Sequence, residues 1–509
     1  MDTTTDTARR AAAPHAPFFF ARASRDGVQV RGQAACALGH KLVRPDGTAD
    51  GIYAEWHWDG RTLRVTNDRY GFCPLYCYHD GNEIGISPSV APLIAAGASN
   101  ELDEAGLAVA LRLGQFIGDD TPFRHIRCLP PNATLTWDGS LELRGGYEFR
   151  KPLWGISRRD AMDTYRDLFR KSMERRRPRS ANFAVPLSGG RDSRHILFEL
   201  CQTGFRPGVC ITALQYPDDA RVAGIVSREL GIEHAVIAQE RDPFELEMRK
   251  NHVTNFGVDE GTWPLLLAEF FAERRIDTIY DGIAGDVLSA GLFLTPALDA
   301  LFRTRNVADI AAQLLPDNEP LLAMLLAPQM LQRLPRGLAL ERMAAEVACH
   351  LDAHNPATSF FFWNRTRRKI AQTPYGMLSG PFTVYAPYLD HDLYDFLAAL
   401  PADIIMDHAF HTDVIKTAYP GWSHLPFEDK ALPGHDFSAQ HAEFARSFSQ
   451  FAGLLPRSSW IRQPSFSARL LASRVSKSFA RTSNWYLRPA LWVFQLEGLA
   501  RSGPRRAHG

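Results

Sequence analysis

The stretch Val185-Pro186-Leu187-Ser188-Gly189-Gly190-Arg191-Asp192-Ser193-Arg194 joins a short apolar run, Phe183 to Leu187, to a segment of helical character that begins near Ser193. A strand that breaks at a glycine turn and re-enters as a helix aims backbone N–H groups and the positive end of a helix dipole at one point, which favours an anion. Gly189 and Gly190 carry no Cβ to hold a phosphate away. Ser188 and Ser193 add hydroxyl donors, and Asp192 is placed to hold a magnesium ion beside phosphates. The spacing is not the G-x-x-x-x-G-K-[ST] of a Walker A loop. An ordinary tight turn fits the same four residues, so stretches elsewhere must decide.

Outward from this turn, strands and helices alternate. Ser157-Arg-Arg-Asp160 forms a helix-capping box, with Ala161, Tyr165, Leu168, Phe169 and Met173 at helical spacing behind it. After the turn come a helix over 193–203, a strand Gly208–Leu214, a helix Asp219–Leu230 stopped by Gly231, and a strand Ala235–Ala238. Helix Pro264–Arg275 leads into strand Thr278–Tyr280 and a second small-residue turn, Asp281-Gly282-Ile283-Ala284-Gly285-Asp286-Val287-Leu288. This alternation predicts an α/β parallel sheet with helices on both faces and both turns at strand carboxyl ends, facing one pocket. Asp192 and Asp286 then make a magnesium pair when phosphates complete the shell; Asp286 also suits a helix N-cap. Residues 17–150 are β-rich, with strands Gly51–His57, Thr62–Thr66, Leu75–Tyr78 and Ala133–Trp137 ahead of turn signals, and Lys151-Pro152 marks a break. Residues 295–400 are largely helical.

At 509 residues the chain exceeds one hydrophobic core. Lys+Arg and Asp+Glu stand at 57 each, which gives no electrostatic argument for nucleic acid. The balance is local: the segment 441–509 is basic, and Arg457–Arg506 interleaves its cations with Trp460, Phe466, Phe479, Trp485, Tyr486, Trp492 and Phe494. It is either a surface for a peptide, a carrier or anionic lipid, or a helical tail that docks its aromatics on the body. Seven cysteines without a C-x-x-C pair read as reduced thiols. With no signal core near Arg9 and Arg10 and no run long enough for a transmembrane segment, the expected location is cytoplasmic.

Five segments, in order, resemble the asparagine synthetase family. Ser188–Ser193 is similar to its S-G-G-x-D-S pyrophosphatase loop and Asp281–Leu288 to its S-G-x-G-x-D-E segment. Tyr216-Pro-Asp-Asp219-Ala220, ahead of Leu230-Gly231, resembles the acidic turn after the second strand. Ala386-Pro387-Tyr388-Leu389-Asp390-His391 resembles R-x-P-F-L-D-H, and Asp68-Arg69-Tyr70-Gly71 with Pro74-Leu75-Tyr76 resembles the R-D-x-x-G-x-x-P-L-Y stretch of the N-terminal glutaminase-like domain. The resemblance implies a degenerate glutaminase-like β-rich domain of Ntn-type αββα architecture over 1–150, an adenine-nucleotide α-hydrolase-like synthetase domain over 151–440, and a basic helical extension over 441–509. It further implies an AMP-forming carbon–nitrogen ligase that uses ATP and Mg2+ on a small-molecule or peptide carboxylate. Leu187, Ser188, Gly189, Gly190, Asp192, Ser193 and Gly282 would bind the nucleotide, Asp192 and Asp286 the metal, and Lys430 would be the catalytic lysine, the alternative being a solvated loop lysine.

The chain also departs from that pattern. It begins Met1-Asp2-Thr3 where glutamine-hydrolysing members expose a cysteine, and Cys36 lacks the flanking pattern, so no glutaminase activity is expected. Ile283, Val287 and Tyr385 replace polar or charged family residues, and Arg191 and Arg194 replace apolar and small ones. These arginines suit either a phosphate or carboxylate contact or a solvated helix start. A β-lactam- or peptide-type tailoring ligase or cyclase, and a non-catalytic ATP-binding relative, therefore stand beside the amide ligase. A tRNA-thiolating enzyme is disfavoured by neutral charge and the lack of paired catalytic cysteines. A homo-oligomer is left open.

Overall fold

The computed structural model describes residues 16–213, 217–238, 242–259, 261–378, 382–429, 436, 438–450 and 458–502. Met1 to Thr3, Leu214, Tyr216, Lys430, Arg457 and Arg506 lie outside the described residues. The described chain is mixed α/β with three five-stranded sheets, one of them parallel.

The first ten strands are β1 Phe19–Ser24, β2 Gly27–Gly32, β3 Ala35–Val43, β4 Ala49–Trp58, β5 Leu63–Asn67, β6 Tyr76–Asp80, β7 Glu83–Ser87, β8 Ile126–Cys128, β9 Thr134–Trp137 and β10 Leu141–Arg144. They build two antiparallel sheets, ordered β2-β1-β7-β6-β8 and β10-β9-β5-β4-β3. Alternation decides which side chains meet between them. Phe19, Ala21, Ile84 and Ile86 from one sheet and Ile52, Ala54, Trp56, Val65 and Leu135 from the other share an apolar core. The opposite face of the first sheet, with Phe20, Tyr76 and Tyr78, packs on helices Val90–Ala96 and Glu104–Leu113.

The capping box behaves as expected: Ser157 Oγ accepts from Asp160 N at 3.1 Å at the head of helix Arg158–Arg175, which buries Ala161, Tyr165, Phe169 and Met173. The next five strands are β11 Phe183–Pro186, β12 Val209–Ala213, β13 His234–Ile237, β14 Thr278–Tyr280 and β15 Thr383–Tyr385. All pair in parallel, in the order β13-β12-β11-β14-β15. The chain winds out from β11 to β13, then returns to lay β14 on the other side of β11. Strand order therefore reverses between β11 and β14, and the crevice at their carboxyl ends is where such sheets take ligands.

The described part of the stretch 295–400 is largely helical. β15 lies within it, and Phe362–Ile370 winds as a π-helix. The final helices, Gln463–Val475, Lys477–Thr482 and Asn484–Ser502, dock Phe466, Tyr486 and Trp492 on a second core. That core includes the helices over the first antiparallel sheet, so the tail packs on both the β-rich and the helical parts. Among the described residues no helix is long and apolar enough to cross a membrane. All seven cysteines are unpaired.

Candidate functional site at the head of the parallel sheet

Leu187 extends β11 by one residue. Its N–H donates to Ile211 O at 2.8 Å and its carbonyl accepts from Thr212 Oγ1 at 2.6 Å, so the turn leaves the sheet from a fixed point. Beyond it the main chain folds on its own side chains. Ser188 N donates to Ser193 Oγ at 3.1 Å, and Gly190 N donates to Ser188 Oγ at 3.1 Å. Gly189 N donates to the Asp219 carboxylate at 2.5 Å. A Cβ on Gly189 would stand 2.8 Å from Glu428 Cβ, so glycine is required there by contact.

The second turn follows β14. Asp281 N donates to Tyr385 O at 2.8 Å, and the Asp281 carboxylate accepts from Ile283 N at 2.8 Å. Burial pushes the Asp281 carboxyl up to about 6, with the nearby charge of Asp192 acting in the same direction. The two turns meet on Asp192. A Cβ on Gly282 would lie 2.6 Å from Asp192 Cβ, and one on Gly285 would lie 2.7 Å from Asp192 Cγ. Ala284 caps the short helix Gly285–Ser289 at φ 74°, a left-handed conformation that favours glycine. Asp286 is thus the second residue of that helix rather than its N-cap, and its carboxylate accepts from Val287 N at 2.7 Å.

Asp192 is partly enclosed, its side chain 23% exposed. Its Oδ1 accepts no hydrogen bond among the described residues and lies 3.3 Å from His411 Nδ1. Behind it is a polar cluster that sequence reasoning missed. His411 Nε2 lies 3.2 Å from His195 Nδ1, and Tyr388 Oη stands 3.3 Å from both nitrogens while donating to Asp192 O at 3.2 Å. Both histidines are fully buried, and burial with the neighbouring His411 drives the His195 pKa far down. His195 follows Asp192 by three residues on one helix face, a signal that was present in the sequence. Nothing in the sequence linked His411, more than two hundred residues on, to it. Among the described residues no group of three or more His, Cys, Asp or Glu could by itself hold a metal ion.

The arginines take separate parts. Arg194 is buried rather than solvated and contacts protein, donating to Leu425 O at 3.3 Å, Pro426 O at 2.6 Å and Gly189 O at 3.2 Å and stacking on Phe427 at 3.9 Å. Burial lowers its pKa to about 10. Arg191 donates to Thr412 Oγ1 at 2.6 Å at the surface. Arg194 thereby straps Leu425–Asp429 across the first turn, where Glu428 N donates to Gly189 O at 3.0 Å and Asp429 N to Asp218 Oδ2 at 2.8 Å. Lys430 follows this strap and lies outside the described residues.

Ile283 and Val287 are packed inward, 5% and 0% exposed, as members of the main apolar core. The third segment splits its work: Tyr388 backs Asp192, whereas Asp390 accepts from Arg175 and Arg176 at the junction with β4. Cys36, on β3, is half-buried and burial raises its thiol pKa, the reverse of an activated nucleophile. No family model matches the chain, and no curated protein matches it.

Proposed function

We propose that the chain is an asparagine synthetase-type ligase that activates a carboxylate with ATP, releasing pyrophosphate, and passes the acyl group to an amine. The observation that carries this reading is the meeting of two glycine turns on Asp192 at the point where strand order reverses. The residues present fit the nucleotide and its metal. Asp192 Oδ1 is a carboxylate oxygen with no hydrogen bond among the described residues, and Asp286 follows directly on the glycine that packs against it. Leu187, Ser188, Gly189, Gly190, Ser193 and Gly282 would line the phosphates, Asp192 and Asp286 would hold magnesium, and Lys430 would reach the phosphates from the strap. Magnesium would supply charge neutralisation as the pyrophosphate leaves. In this reading the two antiparallel sheets are a degenerate glutaminase-like domain of αββα type, and the amine arrives without glutamine hydrolysis at Cys36. In this reading the protein works in the cytoplasm.

A second reading, a non-catalytic nucleotide binder, is favoured by two observations. The Asp219 carboxylate already occupies the Gly189 N–H, and apolar Ile283 and Val287 offer no proton transfer. Pyrophosphate release from MgATP across a panel of amino acids, β-amino acids and peptides separates the two. The ligase reading expects release with one class of carboxylate and a loss of at least about 100-fold in Asp192→Ala. Release that survives this substitution removes Asp192 from the metal site. Nucleotide binding without release on any substrate supports the binder.

A further inference from the structure

From Phe444 to Leu496 the chain carries no Asp or Glu against eight Lys and Arg. Docking fixes which side of this segment faces outward. Helix Gln463–Val475 buries Phe466 and Leu470 in the helical core, and Tyr486 of the following long helix is buried with them. The opposite side holds Leu471 and Val475, 62% and 79% exposed and one turn apart. Arg474 on this helix, and Lys477 and Arg481 one turn apart on the short helix Lys477–Thr482 that follows Val475, are exposed, and none of them pairs with a carboxylate among the described residues.

We propose that this face docks on an anionic phospholipid bilayer. Three cations with no carboxylate partner among the described residues, in an acid-free segment, are complementary to a negatively charged surface, and Arg474 and Lys477 flank the exposed Val475 in the chain. The aliphatic pair decides between anionic partners. Leu471 and Val475 gain nothing against a phosphate backbone, but they can enter the headgroup region while Arg474, Lys477 and Arg481 stay at phosphate level. The contact is peripheral: these helices keep their other side on the protein.

Sedimentation of the full chain with vesicles tests this. Binding is expected to phosphatidylcholine mixed with phosphatidylglycerol, to be weakened by salt, and to be negligible on phosphatidylcholine alone. R474Q/K477Q/R481Q should weaken binding by about 100-fold. L471S/V475S should weaken it by about 10-fold with its salt dependence retained. All five positions are exposed, so thermal melting should match the unsubstituted chain. Equal binding to neutral vesicles, no binding to either vesicle, or full binding by both variants would overturn the proposal. So would retention on duplex DNA in place of anionic vesicles.

Discussion

Ala284 and Gly285 are neighbours with opposite demands. Ala284 sits at φ 74°, where a Cβ crowds the following carbonyl, a cost of about 1 kcal/mol or more. Gly285 has an ordinary φ, yet a Cβ there would lie 2.7 Å from Asp192 Cγ and 2.9 Å from Tyr388 Cε2. Ala284→Gly should therefore raise stability by about 0.5–1 kcal/mol, and Gly285→Ala should lower it by about 1–3 kcal/mol, each read by thermal melting. The sequence showed that this turn needs small residues. It did not show which of them is strained, because strain is a property of φ and not of composition.

Among the elements, the turn between β5 and β6 is organised by one carboxylate. Asp68 accepts from Tyr70 N, Phe72 N and Cys73 N at 2.9, 3.2 and 3.0 Å while fully buried. Burial wins over those bonds and raises its pKa to about 6. Between pH 4 and 6 the folded state thus keeps a proton that the unfolded state has lost, so this group makes stability fall as pH rises through that window. The stability of Asp68→Asn relative to the unsubstituted chain should move in the variant's favour by up to about 3 kcal/mol from pH 4 to pH 6.5, measured by denaturant unfolding at both. Most elements between Ser157 and Tyr280 were legible because capping residues, glycine stops and alternating apolar runs are local signals, helix Pro243–Val253 being the exception. β15 was not: Thr383–Tyr385 is only three residues long and exists because β14 offers it an edge. The strap at Leu425–Asp429 was invisible for a similar reason, since its anchor is Arg194, on a helix more than two hundred residues earlier.

For the whole molecule, the junction between the β-rich part and the parallel-sheet part carries a buried ion cluster. Arg176, 1% exposed, donates to Asp50 on β4 at 2.9 Å and to Asp390 at 2.7 Å, and both carboxylates are fully buried. Burial opposes ionisation of Asp390, but Arg176 and Arg175 hold its carboxyl below the usual range. Arg176→Ala would leave the buried Asp50 carboxylate without its arginine while Arg175 alone holds Asp390, and a loss of about 3–5 kcal/mol is expected in unfolding experiments. Arg69 and Arg150 extend the junction to Asp395, each at 2.5 Å. Composition foretold more than one core; the fold shows that the β-rich and parallel-sheet parts share one apolar core into which this buried ion cluster is set.

The second apolar core has a consequence for how the protein is made. It unites Phe20, Leu93 and Leu107 with Tyr486, Leu491 and Leu496, and Asn100 Nδ2 reaches Ala500 O at 2.5 Å. A ribosome delivers the last of these residues long after the first. At roughly 5–20 residues per second, the helices over the first sheet wait on the order of 20–80 s for the segment that covers them. Through that interval the nascent chain carries an uncovered apolar face, which makes it a client for chaperones during translation rather than after release. Arrest before Asn484 should yield a chain that aggregates even though both antiparallel sheets and the parallel sheet have been synthesised.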